Sequence, residues 1–171
     1  MSKWNWKEKR EKKAFLALED GTIFRGYSVG AAVDSLGEAV FNTGMSGYQE
    51  ILSDPSYAGQ FINMTYPEIG ICGTTPEDME SRKTFCNGFI LHNENQPSNF
   101  RNEESLMDFC KRNDIPALAG IDTRALTLKL RADGAMKSFM CVSGEVSEEV
   151  AVQRAKEWAG LEGQDYAAKV T

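Results

Sequence analysis

The sequence has very few of the residues from which metal sites and catalytic triads are commonly built. Its 171 residues include one histidine, His92, and its four cysteines contain no C-x-x-C pair. Zinc sites usually combine several cysteine and histidine ligands at short spacings, so these numbers argue strongly against one. The single histidine also means that a serine or cysteine nucleophile has only one imidazole base available in this chain.

Long apolar runs are also lacking. No run approaches the roughly 20 apolar residues that a helix needs to cross a bilayer. The charges at the N-terminus are not followed by the apolar stretch of a signal peptide. Three of the four cysteines lie in apolar surroundings in the sequence, which is typical of packed, reduced thiols. We therefore expect a cytoplasmic protein without a membrane partner.

Charge is unevenly distributed along the chain. The net charge is −6, yet residues 1–13 carry six Lys or Arg and only two Glu. One interpretation is a basic arm for nucleic acid or a membrane surface. The acidic remainder argues against nucleic acid as the main partner. We expect a flexible, solvated basic extension over residues 1–13 and one domain over 14–171, with neither nucleic acid nor membrane as a partner.

Strand patterns dominate the first half of that domain. Two β-prone runs, Phe15–Glu19 and Thr22–Ser28, flank Asp20-Gly21, a dipeptide suited to the tight turn of a hairpin. Tyr48–Leu52 is compatible with a short helical turn that ends before Pro55. Further strands are predicted at Ala39–Asn42, Gln60–Met64, Cys86–Leu91, Pro116–Gly120 and Lys137–Val142.

Three helices are predicted from their N-terminal caps in the second half. Asn102 is suited to cap a helix that continues to about Arg112, and Asp122 a helix that ends near Gly134. Ser147 is suited to cap the third. Strands that come early and then alternate with helices predict an α/β fold, with a layered sheet and helices on one side.

The segment from Phe41 to Gln60, FNTGMSGYQEILSDPSYAGQ, follows neither strand nor helix periodicity over most of its length. It is rich in glycine, amides and hydroxyls, and its only apolar pair is Ile51-Leu52. Such a composition is typical of a segment built on turns and hydrogen bonds. Its polar groups either satisfy the backbone of the loop itself or bind a ligand, and the sequence leaves both readings open.

Other residues with chemical potential have simpler explanations. Ser46 in GMSG lacks the G-x-S-x-G spacing of a nucleophile elbow. Cys86 and His92 are six residues apart, too far for a hydrogen bond along one strand. The acidic residues Glu77, Asp78 and Glu80 have no regular metal-ligand spacing, so a solvated loop explains them better.

Asp122-Thr123-Arg124 could bind a phosphate or carboxylate at a helix start, although a capping role explains Asp122 fully. Arg124 is unfavourable for the helix dipole in the first turn. An ion pair or a contact with a partner is the expected reason for it.

Several motifs resemble one family in the same order along the chain. Besides the Phe41–Gln60 segment, they are LEDGTIFRG at Leu18–Gly26, TYPEIG at Thr65–Gly70, SNFR at Ser98–Arg101 and IDTRALT at Ile121–Thr127. Together they resemble the N-terminal domain of the small, glutamine-hydrolysing subunit of carbamoyl-phosphate synthase. The resemblance covers nearly the whole chain after about residue 14. The basic extension and the polar HNENQPSNFR region at His92–Arg101 depart from the family pattern.

The resemblance implies a β/β/α domain of the swivelling type. It also implies that Ser56, in the DPSY turn, contributes to a glutamine site formed together with a C-terminal class I amidotransferase domain. The family's cysteine nucleophile and histidine–glutamate pair belong to that domain, which this sequence lacks. We therefore expect no catalytic residue, no metal site and no glutaminase activity in this chain alone.

In the family, the small subunit supplies ammonia to a large subunit, which uses ATP and Mg²⁺ to make carbamoyl phosphate for arginine and pyrimidine biosynthesis. The resemblance thus implies the large subunit as partner, glutamine as ligand and no cofactor in this chain. The alternative is a stand-alone, non-catalytic interaction module of the same fold. A reading frame that continues into an amidotransferase domain would exclude this alternative.

Overall fold

The structure, a computed structural model, describes residues 6–165. Five α-helices are present in this range: α1 (Trp6–Glu11), α2 (Tyr48–Ser53), α3 (Leu106–Arg112), α4 (Thr123–Asp133) and α5 (Glu148–Glu157). The strands are β1 (Lys13–Leu18), β2 (Ile23–Ser28), β3 (Ser35–Asn42), β4 (Gln60–Met64), β5 (Glu68–Ile69), β6 (Gly88–Ile90), β7 (Asn93–Glu94), β8 (Ala117–Ala119) and β9 (Met136–Cys141). Short 3₁₀ turns cover Pro55–Tyr57 and Pro76–Asp78.

Seven of the strands form one closed sheet in the order β1-β2-β8-β6-β4-β3-β9, and β9 pairs back onto β1. The β3, β4, β6 and β8 strands are mutually parallel, and the remaining pairs are antiparallel. β5 and β7 form a separate parallel pair. The mixed α/β class is thereby confirmed, and closure removes every edge from the main sheet.

Alternate residues of the strands fill the interior of the closed sheet. Leu16, Phe61, Ile90, Leu118 and Met140 all belong to one buried cluster and are fully shielded from solvent. Since side chains alternate between the two faces of a strand, the neighbouring residues point outward to the helices. The interior is therefore a packed core of side chains, as expected for a small barrel.

The ring of Phe61 fits only because two strand neighbours are glycines. A Cβ atom on Gly37 would lie 3.0 Å from the Phe61 ring, and one on Gly88 would lie 2.8 Å from it. Any side chain at Gly88 would also meet the Met140 methyl group at 2.9 Å. These glycines are required by packing, which is a different reason from the turn geometry that their residue type usually indicates.

Helix α4 completes the interior core. Its Leu126 and Leu130, with Ile121 just before the helix, belong to the same cluster as the strand residues. The Asp122 carboxylate accepts the N–H of Ala125 at 2.9 Å, as the sequence predicted for a cap. The predicted end of this helix at Gly134 is also confirmed.

The other helices cover two different outer faces of the barrel. Ala151 and Ala155 of α5 pack against Phe139 and Cys141 of β9. Helices α2 and α3 belong to another cluster, together with outward residues of β4, β6 and β8. The expected arrangement with all helices on one side is therefore wrong, because closure of the sheet creates outer faces in several directions that must each be covered.

The first predicted cap was misplaced. Helix α3 begins after Ser105, whose hydroxyl accepts the N–H of Asp108 at 3.1 Å, and not after Asn102. The backbone of Glu104 instead forms a β-bridge with Thr74, so the chain is extended up to Ser105. A contact distant in sequence thus overrides a good local capping residue. The cap of α5 by Ser147 is confirmed.

The predicted strands are all found, with ends that differ by a few residues. The hairpin pairs Ala17 with Ile23 around the Asp20-Gly21 turn. The predicted short helix after Gly47 is present as α2 and ends before Pro55. Of the predicted flexible extension, residues 1–5 lie outside the described residues, and α1 occupies most of the rest. Within residues 6–165, every helix is too short or too polar to cross a bilayer.

Substitution of Leu126 tests whether α4 is part of the barrel core. Leu126→Ala should lower the free energy of unfolding by about 2–5 kcal/mol, because it leaves a cavity in a fully buried cluster. Leu128→Ala, in the same helix at a side chain that is 55% exposed, should change it by less than about 0.5 kcal/mol. Urea unfolding of both variants measures the difference. Equal losses would mean that α4 does not pack as described.

Candidate functional site

The segment from Phe41 to Gln60 connects two parallel strands. Parallel neighbours need a crossover connection of a dozen or more residues, because the chain must return to the end from which it started. Between β3 and β4 this crossover contains α2 and the Pro55–Tyr57 turn. The crossover connection explains why the segment is rich in glycine, amides and hydroxyls, since the chain has to turn repeatedly and still cover an outer face of the barrel.

Helix α2 fixes the following loop through polar side chains. The buried amide of Gln49 donates to the carbonyl oxygen of Thr75 at 2.6 Å and accepts its N–H at 2.9 Å. The Tyr48 hydroxyl accepts the N–H of Cys72 at 2.6 Å, and burial raises the pKa of this tyrosine. Gln49 and Tyr48 thus bond the backbone of a different loop. The interpretation that the polar groups of the segment satisfy only the backbone of their own loop is therefore wrong for these two residues.

The DPSY turn leaves the hydroxyl of Ser56 at the surface. The Asp54 carboxylate caps the turn by accepting the N–H of Ser56 at 2.8 Å, and it also accepts the Ser56 hydroxyl. Beside the turn, the Asn42 amide donates to the Tyr57 hydroxyl at 2.9 Å and accepts the N–H of Gly44. Ser56 is exposed, and the cap on its N–H does not depend on its hydroxyl, which can therefore turn from Asp54 toward another donor or acceptor.

A polar cleft lies at the N-terminal end of α2. Its volume is about 180 Å³. It is lined by Ser46, Gly47, Tyr48, Gln49, Glu50, Cys72, Gly73, Thr75, Asp78, Asn99 and Arg101. The guanidinium of Arg101 lies 3.2 Å from the Asp78 carboxylate and 3.5 Å from that of Glu77. Glu77 and Asp78, two residues of the acidic cluster, are therefore partners of Arg101, the arginine of the SNFR motif.

Large apolar side chains are exposed next to this cleft. Phe100 is 96% exposed, Met45 68% and Ile71 44%. Each of them neighbours a lining residue in sequence, and the N–H groups of Ser98 and Asn99 both bond the carbonyl oxygen of Ile71. A group of exposed apolar side chains around polar residues is typical of a surface that contacts another protein.

The polar region after His92 is tied to the TYPEIG motif. The Glu68 carboxylate accepts hydrogen bonds from the amides of Asn93 and Asn95 at 2.8 and 2.7 Å. These two bonds lower the pKa of Glu68. The departure of this region from the family pattern therefore has a local structural role, since it fixes the small β5–β7 sheet.

The alternatives of a nucleophile with a base are not supported by the geometry. Ser46 lines the cleft, whereas His92 is not among the residues that line it. The Nδ1 atom of His92 donates to the carbonyl oxygen of Ile121 at 2.8 Å. Cys86 is buried in the cluster that also contains Cys110. Over residues 6–165, no three His, Cys, Asp or Glu side chains are grouped to hold a metal ion.

At the start of α4, the capping role of Asp122 accounts for that residue. Arg124 is exposed and forms no ion pair with any residue in the described range 6–165. Of its two expected roles, an ion pair and a contact with a partner, the first is therefore not seen in this part of the chain.

Sequence reasoning missed the pairing between Gln49 and Thr75 and the role of Arg101. A buried glutamine inside a polar segment leaves no periodic signal, because its partner is the backbone of a loop 26 residues away. The opposite charges of Glu77-Asp78 and Arg101 could have indicated the ion pair. Their spacing of more than 20 residues made that signal weak.

Comparison with known proteins gives one consistent result. Residues 16–140 match the family model described as "Carbamoyl-phosphate synthase small chain, CPSase domain". Three similar proteins carry the name carbamoyl phosphate synthase small chain. They come from Stutzerimonas stutzeri, 49% identical over 159 residues, Vibrio vulnificus, 49% over 163, and Thermotoga maritima, 48% over 161.

The matches cover this chain far more completely than they cover the relatives. They include 92% of this chain for the Stutzerimonas protein and 94% for the other two. They cover only 41%, 42% and 41% of the three relatives. The chain thus spans less than half the length of the curated relatives that it matches.

The four cysteines should differ sharply in reactivity. Burial raises the pKa of Cys86 to about 12 and that of Cys110 well above its usual value, whereas Cys72 is exposed in the cleft. At pH 8, only about one in ten thousand Cys86 thiols would be ionised. A colorimetric thiol reagent should therefore modify one cysteine per native chain, and all four after denaturation.

Cys72→Ser is the matched variant for this measurement. It should remove the fast reaction and leave the three slow thiols unchanged, because Cys141 is also buried. Fast modification of two or more thiols in the native protein would contradict the burial of Cys86, Cys110 or Cys141.

Proposed function

The chain belongs to the carbamoyl-phosphate synthase small-chain family, and from this premise we propose that it is the N-terminal domain of the small subunit of a glutamine-dependent carbamoyl-phosphate synthase. The observation that carries the proposal is the match over residues 16–140, supported by 48–49% identity to the small chains of three bacteria. In this proposal the assembled enzyme is a ligase that serves arginine and pyrimidine biosynthesis. The domain itself carries no catalytic residue and releases no ammonia alone.

The first role of the domain is to complete a glutamine site through Ser56. Its hydroxyl is exposed, and Asp54 already caps the turn, so contact with a ligand would not cost the turn its stability. A neutral hydroxyl both donates and accepts, which suits the amide or the charged ends of glutamine. The remaining groups of the site, including the cysteine nucleophile, come from an amidotransferase domain beyond this chain.

The second role is to dock on the large subunit. The docking surface consists of Met45, Ile71 and Phe100, together with the charged rim formed by Arg101. Burial of an aromatic side chain that is almost fully exposed would contribute strongly to association. ATP and Mg²⁺ are bound by the large subunit in this proposal, and this domain holds no cofactor.

The fold and the location complete the proposal. We propose that the closed sheet corresponds to the swivelling-type domain that the family resemblance implies, with opposite walls of the barrel as its two β layers. The protein acts in the cytoplasm, where its four cysteines stay reduced.

Replacement of Ser56 in the complete subunit tests the glutamine site. Ser56→Ala should raise the KM for glutamine by roughly two- to twelvefold, because loss of one neutral hydrogen bond costs about 0.5–1.5 kcal/mol. Synthesis driven by free ammonia should not change, since ammonia bypasses the glutamine pocket. Steady-state kinetics with both nitrogen sources measure the two effects.

Ser35→Ala is the matched control, because Ser35 lies at the opposite end of β3 from the crossover. It should leave both reactions unchanged. Equal damage by Ser56→Ala to the glutamine- and ammonia-driven reactions would indicate an effect on folding or assembly, and Ser56 would then be withdrawn as a ligand contact.

Titration with the large subunit of the same organism tests the docking role. The chain should form a saturable complex. Phe100→Ala should weaken it at least fivefold, because truncating a residue at the centre of a contact costs more than about 1 kcal/mol of binding free energy. Val150→Ala, at an exposed position of α5, should have no effect. No association at about tens of micromolar protein would refute docking by this domain.

A further inference from the structure

The chain that leaves α5 is fixed to the barrel by a lysine of β9. The Lys137 ammonium donates to the carbonyl oxygen of Lys156 at 2.8 Å and to that of Trp158 at 3.0 Å. The last carbonyl oxygens of a helix have no partner within the helix, and a lysine near this end satisfies them. Helix α5 therefore ends at a fixed place on the outer face of β9.

A glutamate of β3 holds the next residues of this chain. Glu38 lies directly opposite Lys137 in the pairing of β3 with β9, and its carboxylate accepts the N–H of Leu161 at 3.2 Å. Gly160 is buried, and a Cβ atom on it would lie 3.5 Å from both the Glu38 carboxylate and the Lys137 side chain. Residues 158–161, which we call the exit segment, thus pack against these two side chains.

The same glutamate is bonded to the chain that leaves the DPSY turn. The backbone N–H of Glu38 donates to the carbonyl oxygen of Gly59 at 3.2 Å, and Glu38 pairs with Gln60 in the parallel ladder of β3 and β4. The Pro55–Tyr57 turn ends two residues before Gly59. Glu38 therefore connects the exit segment, through its side chain, to the turn that contains Ser56, through its backbone.

The bond from Glu38 lies beyond the contacts that attach α5 itself. Two alanines of α5 pack the helix against the outer face of β9, and Lys137 satisfies its C-terminal end. Leu161 lies three residues after Trp158, the C-terminal cap of α5. The chain turns there, since the Gln164 N–H bonds the Leu161 carbonyl oxygen at 3.1 Å. Glu38 therefore fixes the course of the chain after the helix, in addition to what holds the helix.

We propose that Glu38 is a positioning residue for the glutamine site. In the proposed function, on which this inference rests, an amidotransferase domain continues from the C-terminal end of this chain and forms the glutamine site together with Ser56. Because Glu38 bonds both Leu161 and Gly59, it sets the place of that domain relative to the DPSY turn without touching glutamine. A displacement of about 1 Å is enough to weaken such a contact, so loss of the Glu38 carboxylate weakens the bond between Ser56 and glutamine.

Kinetics of the complete subunit, assembled with its large subunit, test this role. Glu38→Ala should raise the KM for glutamine by roughly two- to tenfold, because the contact that it weakens is one neutral hydrogen bond. The kcat should stay within about twofold, since the nucleophile belongs to the other domain. Synthesis driven by free ammonia should not change.

Two further variants serve as controls. Glu38→Gln keeps an acceptor oxygen for the Leu161 N–H, so it should bring the KM back to within about twofold of the wild-type value. Glu145→Ala, at an exposed carboxylate beyond the opposite end of β9, should leave the KM unchanged. Hydrogen exchange measured by mass spectrometry should be faster over residues 158–165 in the Glu38→Ala subunit than in the wild type, because the exit segment is released.

Combination with Ser56→Ala shows whether Glu38 acts through Ser56. If it does, Glu38→Ala should raise the KM by less than about twofold in the Ser56→Ala background, because the contact that it supports is already lost. An unchanged KM or unchanged exchange in Glu38→Ala, equal losses of the glutamine- and ammonia-driven reactions, or full additivity with Ser56→Ala would overturn the role of Glu38 alone. A wild-type subunit that supports no glutamine-driven synthesis would instead refute the proposed function.

Discussion

The parallel pairing of β3 with β4 is the constraint on which the rest of the structure depends. It forces a long crossover between the two strands, and this crossover carries α2, the DPSY turn and the polar cleft. β4 in turn pairs in parallel with β6, and β6 with β8, so these four strands form the parallel half of the barrel. Closure through β9 then requires an interior filled by alternate residues, which explains the glycines around Phe61.

Some polar side chains of the crossover are buried and bond backbone groups of the protein, whereas others are exposed at the surface. Gln49 and Tyr48 are buried, and each satisfies backbone groups of the following loop, so removing them would leave those groups without partners in a dry environment. Ser56 is the opposite case, because its neighbour Asp54 already satisfies the turn. Ser56, which the family resemblance implies as a ligand contact, thus lies in a turn that is already capped by Asp54.

Local chemistry predicted the elements well where no distant contact competed with it. The hairpin around Asp20-Gly21 and the caps at Asp122 and Ser147 depend on groups within a few residues, and all are confirmed. The cap at Asn102 was wrong because the chain there pairs with Thr74, about 30 residues away. The helices-on-one-side arrangement was wrong for a related reason, since periodicity does not report whether a sheet closes.

Of the strands and helices in residues 6–165, the sequence by itself determined seven strands and helices α2 to α5, together with two of the three predicted caps, but it did not predict α1, β5 or β7. It also indicated that three of the four cysteines are packed. Its motifs also determined the family, because they extend in order along most of the chain. Only the tertiary structure decided the closure of the sheet, the bonds between Gln49 and Thr75, the pairing of Arg101 with Asp78 and the polar cleft at the N-terminal end of α2. Each of these depends on groups more than 20 residues apart, and such contacts are set by how strands pair rather than by any local pattern of residues.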